Sequence, residues 1–185
     1  MRFIETELSG AYLVELEPIE DERGFFCRSF CSDQFKQKGL TNVMVQSNIS
    51  WSKYKHTLRG MHYQFNGNEE VKLIRCTRGR LLDTIIDLRP DSKTYCKHFS
   101  VELSADKNFL LYVPKQFAHG FITLENYTEI FYQVSAHYSK NYESGIRWDD
   151  PLFNIDWGTN SPIVSDRDNS HLDFDPNSNP FTNGA

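Results

Sequence analysis

What this 185-residue sequence lacks already excludes several classes of protein. It has no apolar run near the ~20 residues that a membrane-spanning helix needs, and no N-terminal apolar segment typical of a signal peptide. It has four cysteines, none in a Cys-x-x-Cys pair, so a cysteine-based zinc site is not predicted. We therefore expect a cytoplasmic protein with reduced thiols and no membrane partner. The formal net charge of −5 argues against a general nucleic-acid-binding protein.

Apolar residues make up 39% of the chain and aromatic residues 14%, which is sufficient for the core of a single domain. Most of them fall in short alternating or β-branched runs separated by turn residues. One short helix is predicted at residues 33–38, with Ser32 as its N-cap. Many short strands with so little helix predict an all-β jelly roll. Residues 1–174 are predicted to form this single domain, and the polar residues 175–185 a loosely ordered tail.

The stretch from Leu58 to Lys72 is the most informative part of the sequence. His62 precedes Lys72 by ten residues, and Asn66-Gly67 between them is a strong turn signal. Two strands joined near this turn would let the imidazole and the ammonium group face one another across a sheet. A base beside a fixed cation can remove a proton and stabilise the negative charge that remains. Taken alone, however, the stretch favours a core histidine and a solvated lysine.

Other polar residues fall at strand ends and in turns, and each has an ordinary structural explanation. Arg23 could form a surface ion pair, Tyr132 could be a core aromatic residue, and Asp168 could cap a turn. Their combination is more specific, because many short motifs follow one another in order. These are Asp21-x-Arg23-Gly24-x-Phe26, Gln46-x-Asn48-x-Ser50, Leu58-Arg59-Gly60-x-His62-Tyr63-Gln64, Lys72-Leu73, Asp87-Leu88-Arg89, Phe117-Ala118-His119-Gly120-Phe121, Tyr132 with Tyr138, Arg147-Trp148-x-Asp150-Pro151 and Ser165-x-x-Asp168. Together they resemble the dTDP-4-dehydrorhamnose 3,5-epimerase family over about residues 1 to 174.

The resemblance implies a cupin-type jelly roll, or double-stranded β-helix, with one or two short helices and no metal or other cofactor. It implies a homodimer, in which an N-terminal strand joins the partner's sheet and covers an open edge. The implied reaction is epimerisation at C3, C5 or both of a nucleotide-diphosphate-linked 4-keto-6-deoxyhexose. The substrate and product would be of the dTDP-4-dehydro-6-deoxyglucose and dTDP-4-dehydrorhamnose type.

Roles for individual residues follow from the same resemblance. His62 would be the base, Asp168 its orienting carboxylate, and Lys72 the cation that stabilises the enolate. Tyr132 would be the acid on the opposite face of the sugar ring. Tyr138 would stack on the nucleobase. The residues that would line the sugar-nucleotide site are Arg23, Arg28, Gln46, Asn48, Arg59, His119, Tyr138, Glu143 and Arg167.

These residue types suit the chemistry on independent grounds. A C4 ketone acidifies the hydrogens on C3 and C5, and a neutral imidazole can remove one of them near neutral pH. Asp168 would fix the tautomer of His62 and stabilise the imidazolium. Inversion needs a second group on the other ring face, and Tyr132 could return that proton if its pKa is lowered. Arginines match the paired oxygens of a diphosphate.

Three positions depart from the family pattern, and two other functions stay open. The family often has Pro-Pro where this chain has Asn66-Gly67, Gln where it has Glu70, and Glu where it has Arg28. The catalytic set is intact, but a mono-epimerase of a CDP- or GDP-linked sugar is an alternative. A metal-dependent cupin such as a dioxygenase would need more histidines than His62 and His119. A non-catalytic sugar-binding jelly roll would not need the complete catalytic set.

Overall fold

Thirteen β-strands account for most of the regular structure in residues 1–182, the residues that this computed structural model describes. In chain order the strands are β1 (Arg2–Glu5), β2 (Tyr12–Glu15), β3 (Ile19–Asp21), β4 (Gly24–Phe26), β5 (Gln46–Ser52), β6 (Leu58–Gln64), β7 (Lys72–Arg78), β8 (Arg80–Asp87), β9 (His98–Ser104), β10 (Phe109–Val113), β11 (Phe117–Thr123), β12 (Thr128–Val134) and β13 (Glu143–Gly145). The helical elements are α1 (Ser32–Gln37), α2 (Asp166–Asn169) and a 3₁₀ turn at Pro176–Ser178. No helix in this part of the chain is long and apolar enough to cross a membrane.

The strands form two antiparallel sheets and one separate hairpin. The first sheet has six strands in the order β1-β2-β10-β7-β12-β5, and the second has five in the order β13-β6-β11-β8-β9. Apart from β1–β2 and β8–β9, neighbouring strands are not consecutive in the chain, as expected of a jelly roll rather than a simple meander. The hairpin of β3 and β4 belongs to neither sheet. The prediction of an all-β jelly roll with short helices is confirmed.

Alternation along each strand decides which side chains enter the space between the sheets. On β7, Ile74 packs in the central cluster with Leu81 and Ile85 of the opposite sheet, whereas Leu73 packs outward beneath helix α1. Phe35 of α1 is fully buried in that outer cluster, so the helix covers the six-stranded sheet. Since side chains alternate with a period of two, Lys72 shares the inward face of Ile74.

Strands β6 and β7 are not the two arms of a hairpin. They lie in opposite sheets, and residues 65–71 cross from one sheet to the other. His62 and Lys72 therefore face one another through the interior of the jelly roll, not across neighbouring strands of one sheet. The Asn66-Gly67 turn does form, with positive φ at both residues, but it lies within this longer crossing segment.

The segment after residue 174, predicted to be a loosely ordered tail, packs on the domain as far as Thr182. The side-chain amide of Asn179 donates to the carbonyl oxygen of Leu88 at 2.8 Å. Phe181 is buried and meets the ring of Tyr63 edge to face, with centroids 5.6 Å apart. One buried amide and one buried aromatic ring thus hold a segment whose composition is mostly polar. Residues 183–185 of the predicted tail lie outside the described residues.

Candidate active site

Four predicted catalytic or binding residues meet between the two sheets. His62 on β6 and His119 on β11 approach from the five-stranded sheet, and Lys72 on β7 and Tyr132 on β12 from the six-stranded sheet. All four line a cavity of about 230 Å³. An adjoining cavity of about 310 Å³ shares three of them. It is further lined by Gln46, Asn48, Tyr63, Gln64, Glu70, Val134, Tyr138 and Glu143.

Two glycines let the histidine-bearing strands approach closely. A Cβ atom on Gly60, where φ is +130°, would lie 2.5 Å from the Cα atom of Gly120. The absence of both side chains lets β6 and β11 pair with His62 directly opposite His119. Only glycine combines this backbone conformation with so short a contact. This explains the glycine in each of the two histidine motifs.

His62 is held by a buried carboxylate from the far end of the chain. Its Nε2 lies 2.9 Å from Oδ1 of Asp168, and Oδ2 of the same carboxylate accepts from the backbone N–H of Gly60 at 3.1 Å. Burial raises the pKa of Asp168, but hydrogen bonds from His62 and Gly60 outweigh it, so the pKa is lowered overall. The ionised carboxylate favours the tautomer with its proton on Nε2. The Nδ1 atom is then the basic nitrogen.

Lys72 supplies a cation on the opposite side of the cavity. Its side chain is buried, and its ammonium group pairs with the carboxylate of Glu70. Burial lowers the pKa of Lys72 to about 7. The adjacent negative charge acts in the opposite direction, because it favours the ammonium form. The cavity therefore contains a desolvated positive charge that its own neighbour stabilises.

Tyr132 faces the cavity from the same sheet as Lys72. Burial raises the pKa of its phenol, and the nearby charge of Arg59 opposes that shift only in part. The sequence-based argument required a lowered pKa, and the structure gives the opposite direction. A raised pKa keeps the phenol protonated, so Tyr132 is equipped to donate a proton rather than to remove one.

Polar side chains close the wider end of the site. On β5, the amide of Gln46 donates to Asn48 at 2.9 Å, and its oxygen accepts from the backbone N–H of Tyr138 at 3.2 Å. The hydroxyl of Tyr138 donates to Glu143 at 2.5 Å, and Glu143 also pairs with Arg167 of α2. These contacts link three of the cavity-lining elements around the exposed Tyr138 ring.

Arg23 and Arg28 are predicted binding residues that lie away from the cavities and from the residues that line them. Arg23 is at the tip of the β3–β4 hairpin, where it pairs with Asp21 at 2.5 Å and its side chain is 83% exposed. Arg28 follows the hairpin and is also exposed. Every residue of both hairpin strands is exposed, so the hairpin projects away from the sheets. Within the described chain, neither arginine lines the cavity.

The structure also identifies residues that sequence reasoning missed. His119 pairs with Asp83, a fully buried carboxylate on β8, at 2.8 Å. An aspartate within the apolar strand run was the available signal, since a buried carboxylate needs a partner. His171 lies beside His62, with ring centroids 5.9 Å apart. No sequence signal pointed to His171.

Three of these side chains could hold a metal ion only at a cost to the His62–Asp168 pair. His62, Asp168 and His171 offer ligand atoms that lie within 4.8 Å of one another. A divalent cation there would replace the hydrogen bond between His62 and Asp168. His119 is held apart by Asp83, so it does not complete the set of facing histidines typical of a metal-dependent cupin.

Comparison with known proteins decides the family. Residues 5–175 match the sequence model of the dTDP-4-dehydrorhamnose 3,5-epimerase family. The chain belongs to this family. A dTDP-4-dehydrorhamnose 3,5-epimerase of Shigella flexneri is 40% identical over 169 residues, which cover 91% of this chain and 93% of that protein.

Two solved structures of the family extend the agreement to the fold. The dTDP-4-dehydrorhamnose 3,5-epimerase of Bacillus anthracis, with TDP and pyrophosphate bound, superposes with a TM-score of 0.91 at 40% identity, covering 94% of this chain and 99% of that one. The dTDP-6-deoxy-D-glucose-3,5-epimerase of Legionella pneumophila, in complex with dTDP-4-keto-L-rhamnose, gives a TM-score of 0.88 at 31% identity, with coverage of 96% and 93%. The cupin-type jelly roll implied by the sequence is thus confirmed.

Proposed function

We propose that this protein is an epimerase that inverts C3 and C5 of dTDP-4-dehydro-6-deoxyglucose to give dTDP-4-dehydrorhamnose. One observation carries the proposal: His62 on one sheet, held by Asp168 of α2, faces Lys72 and Tyr132 on the other sheet across a single cavity. A base, a fixed cation and a separate proton donor are the groups that inversion next to a ketone requires. Family membership favours this function over a metal-dependent dioxygenase or a non-catalytic sugar-binding protein.

The first step is removal of a proton from the carbon next to the C4 ketone. Nδ1 of His62 takes the proton, and the electron pair of the C–H bond moves to form the enolate. The negative charge develops on the C4 oxygen. Asp168 stabilises the imidazolium without itself becoming protonated, because its own pKa is lowered. This division of work requires Asp168 to stay ionised throughout.

The second requirement is a positive charge at the C4 oxygen. Lys72 lines both cavities, and its burial makes its charge more effective than it would be in water. Tyr132 then gives its proton to the face of the ring opposite the base. The phenolate that remains takes a proton from solvent, and the imidazolium loses its proton to solvent, which restores both groups. Since two centres are inverted, this cycle takes place once at C3 and once at C5.

The nucleotide would occupy the wider, polar end of the site. Tyr138 offers an exposed ring for stacking on the base, next to Gln46 and Asn48 of β5. Arg59 lines the narrower cavity beside the catalytic residues. Arg167 reaches the same region through its pair with Glu143. The binding roles of these residues rest on family position and on this placement.

We further propose a homodimer, which would give the projecting hairpin a function. Phe25 and Phe26 on β4 are 57% and 67% exposed, although they are large apolar side chains. Strands β1 and β5 are the two edges of the six-stranded sheet and could each pair with a second copy. A hairpin docked on a second copy would bring Arg23 and Arg28 to the partner's site. Light scattering that shows only monomer at micromolar concentration would contradict this.

The remaining proposals concern domain extent and location. The domain proposed from the sequence spans residues 1–174, and the packing of Phe181 extends it beyond that boundary. Each of the four cysteines is unpaired in the structure. Unpaired thiols are consistent with a cytoplasmic location, which stays a prediction.

The function is tested by NMR of the keto-sugar in D2O. Incubation with the dTDP-linked 4-keto-6-deoxyglucose should replace hydrogen by deuterium at C3 and C5 and produce the inverted sugar. The CDP- and GDP-linked sugars, run in parallel, test which nucleotide the site accepts. Deuterium at one carbon only would indicate a mono-epimerase. Binding without any exchange would contradict the proposed function.

A further inference from the structure

Glu70 is a carboxylate with a largely buried side chain that lines the larger of the two cavities, next to the cation but outside the catalytic set. It lies two residues before Lys72, and its Oε1 pairs with the lysine ammonium group. Both side chains are only 10% exposed. Removing two such charges from water is unfavourable unless they are paired and hydrogen-bonded, so the contact is a strong constraint on both groups.

Both sheets hold the Glu70 carboxylate in place. Its Oε2 accepts from the side-chain amide of Gln64, a buried residue of β6 in the opposite sheet, at 2.9 Å. The amide oxygen of Gln64 in turn accepts from the backbone N–H of Ser139 at 2.7 Å and from Asn68 at 3.1 Å. The carboxylate is therefore fixed before any ligand binds, and it fixes the end of the Lys72 side chain.

No other carboxylate that lines the two cavities in the described chain contacts Lys72. Glu143 of β13 lines one of them and is engaged by Arg167 and Tyr138. Asp168 lies behind His62, which it binds. The remaining titratable and charged groups that line the two cavities with Lys72 are His62, Tyr63 and Arg59 of β6, Tyr132 of β12, His119 of β11 and Tyr138. Of these, Arg59 is positive, and the histidines and phenols do not supply a negative charge near neutral pH. The charge on Glu70 has no substitute.

We propose that Glu70 is a positioning residue that keeps Lys72 protonated and holds its ammonium group toward the cavity, and so sets the upper pH limit of enolate formation. The inference rests on the proposed function, in which Lys72 offsets the charge on the C4 oxygen. Burial lowers the pKa of Lys72 to about 7, and the Glu70 charge counteracts it. Without that charge, burial would act on Lys72 unopposed, so Lys72 would lose its proton at a lower pH and could no longer stabilise the enolate there.

The decisive variant is Glu70→Gln, which removes the charge while keeping the size and a hydrogen-bonding group. Deuterium exchange into the dTDP-linked keto-sugar is measured from pH 6 to pH 10. We expect an exchange rate close to that of the unaltered protein at pH 6. On the alkaline side of the pH–rate profile, the rate should begin to fall at a pH lower by about one unit or more. Glu69→Gln is the matched control, since it removes the same charge one residue away and should leave the profile unchanged.

A second measurement separates this inference from the proposed function. NMR titration of the Lys72 side chain, labelled at Nζ or Cε, reports its pKa directly and needs no substrate or activity. The pKa should be lower in Glu70→Gln than in the unaltered protein. If the unaltered protein showed no exchange, the proposed function would fail, yet this titration would still test the Glu70–Lys72 coupling.

Several results would overturn the inference. One is an unchanged Lys72 pKa in Glu70→Gln. Another is a rate that falls by the same factor at every pH, which would mean that Glu70 has only a structural role. If Glu70→Gln does not fold, Glu70→Asp is the alternative variant, since it keeps the charge on a shorter side chain. Its exchange rate should fall on the alkaline side at a pH close to that of the unaltered protein. A shift of this pH by one unit or more in Glu70→Asp would contradict the proposal as well.

Discussion

Two His–Asp pairs lie side by side, with both histidines on the five-stranded sheet, and they differ in exposure and in the surroundings of the carboxylate. His62 and His119 are direct cross-strand neighbours, and their Nε2 atoms lie 2.9 and 2.8 Å from an aspartate oxygen. The side chain of His62 is 33% exposed, whereas that of His119 is 11% exposed. The imidazole of His62 is therefore accessible to a ligand, whereas that of His119 is packed into the wall of the cavity.

The carboxylates differ as well. Asp168 stands at α2, and its second oxygen accepts from the backbone of Gly60. Asp83 is fully buried within β8, and its second oxygen has no hydrogen-bond partner among the described residues. The same two residue types at the same distance therefore serve different purposes. Access and the surroundings of the carboxylate, rather than the pair itself, assign the base.

The largest expected effect separates the two histidines. His62→Ala should lower both solvent exchange and epimerisation by about 10²–10⁴-fold, because the general base is lost. His119→Ala should weaken substrate binding but leave measurable exchange. Exchange at C3 and C5 in D2O, measured at saturating substrate, distinguishes the two outcomes. Equal losses in both variants would show that the exposed pair is not the only base.

The next effect concerns the cation that faces both pairs. Lys72→Met keeps much of the side-chain volume and removes the charge. Exchange should fall on the order of 10²–10³-fold, as for the loss of one oxyanion donor. Binding of dTDP alone, measured by calorimetry, should change little because Lys72 acts at the sugar. A variant with normal exchange would remove Lys72 from the mechanism.

Substitution of the two aspartates should affect different measured quantities, the exchange rate for Asp168 and the stability for Asp83. Asp168→Asn should lower exchange by about 10²-fold, since the imidazole stays but its preferred tautomer does not. Asp83→Asn should instead lower the free energy of unfolding, by roughly 1–3 kcal/mol, because a buried hydrogen bond to His119 is weakened. Urea unfolding and exchange kinetics on both variants test this. A stability loss in Asp168→Asn with unchanged exchange would reverse the assignment.

The smallest effect on exchange is expected across the cavity, at Tyr132. Tyr132→Phe keeps the ring and removes the hydroxyl, so His62 can still form the enolate and return a proton to the same face. Deuterium should enter at close to the original rate while inversion is slowed much more. Loss of exchange as complete as in His62→Ala would contradict the assignment of Tyr132 to the opposite face. Tyr132 would then act in enolate formation or in holding the sugar.

The family resemblance grouped the central residues of the site, and their catalytic roles stay predictions. In the structure His62, Lys72 and Tyr132 line one cavity, Asp168 contacts His62, and Gln46 and Asn48 lie on one face of a strand. The projection of the β3–β4 hairpin could not be predicted, because turn residues indicate a turn but not its direction. The sequence did not indicate the importance of Glu70 either. A glutamate near a lysine is common on protein surfaces, and such a pair is informative only when both side chains are largely removed from solvent, as here.

The sequence by itself determined the all-β class and the face of each strand that carries the polar residues. Both are local properties, because alternation of apolar and polar residues depends on neighbours two positions apart. Only the tertiary structure decided which histidine obtains which carboxylate, since Asp168 is 106 residues from His62 and Asp83 is 36 from His119. It also decided the pKa directions of Lys72 and Tyr132. Those depend on the exclusion of water by segments distant in the chain, which no local pattern records.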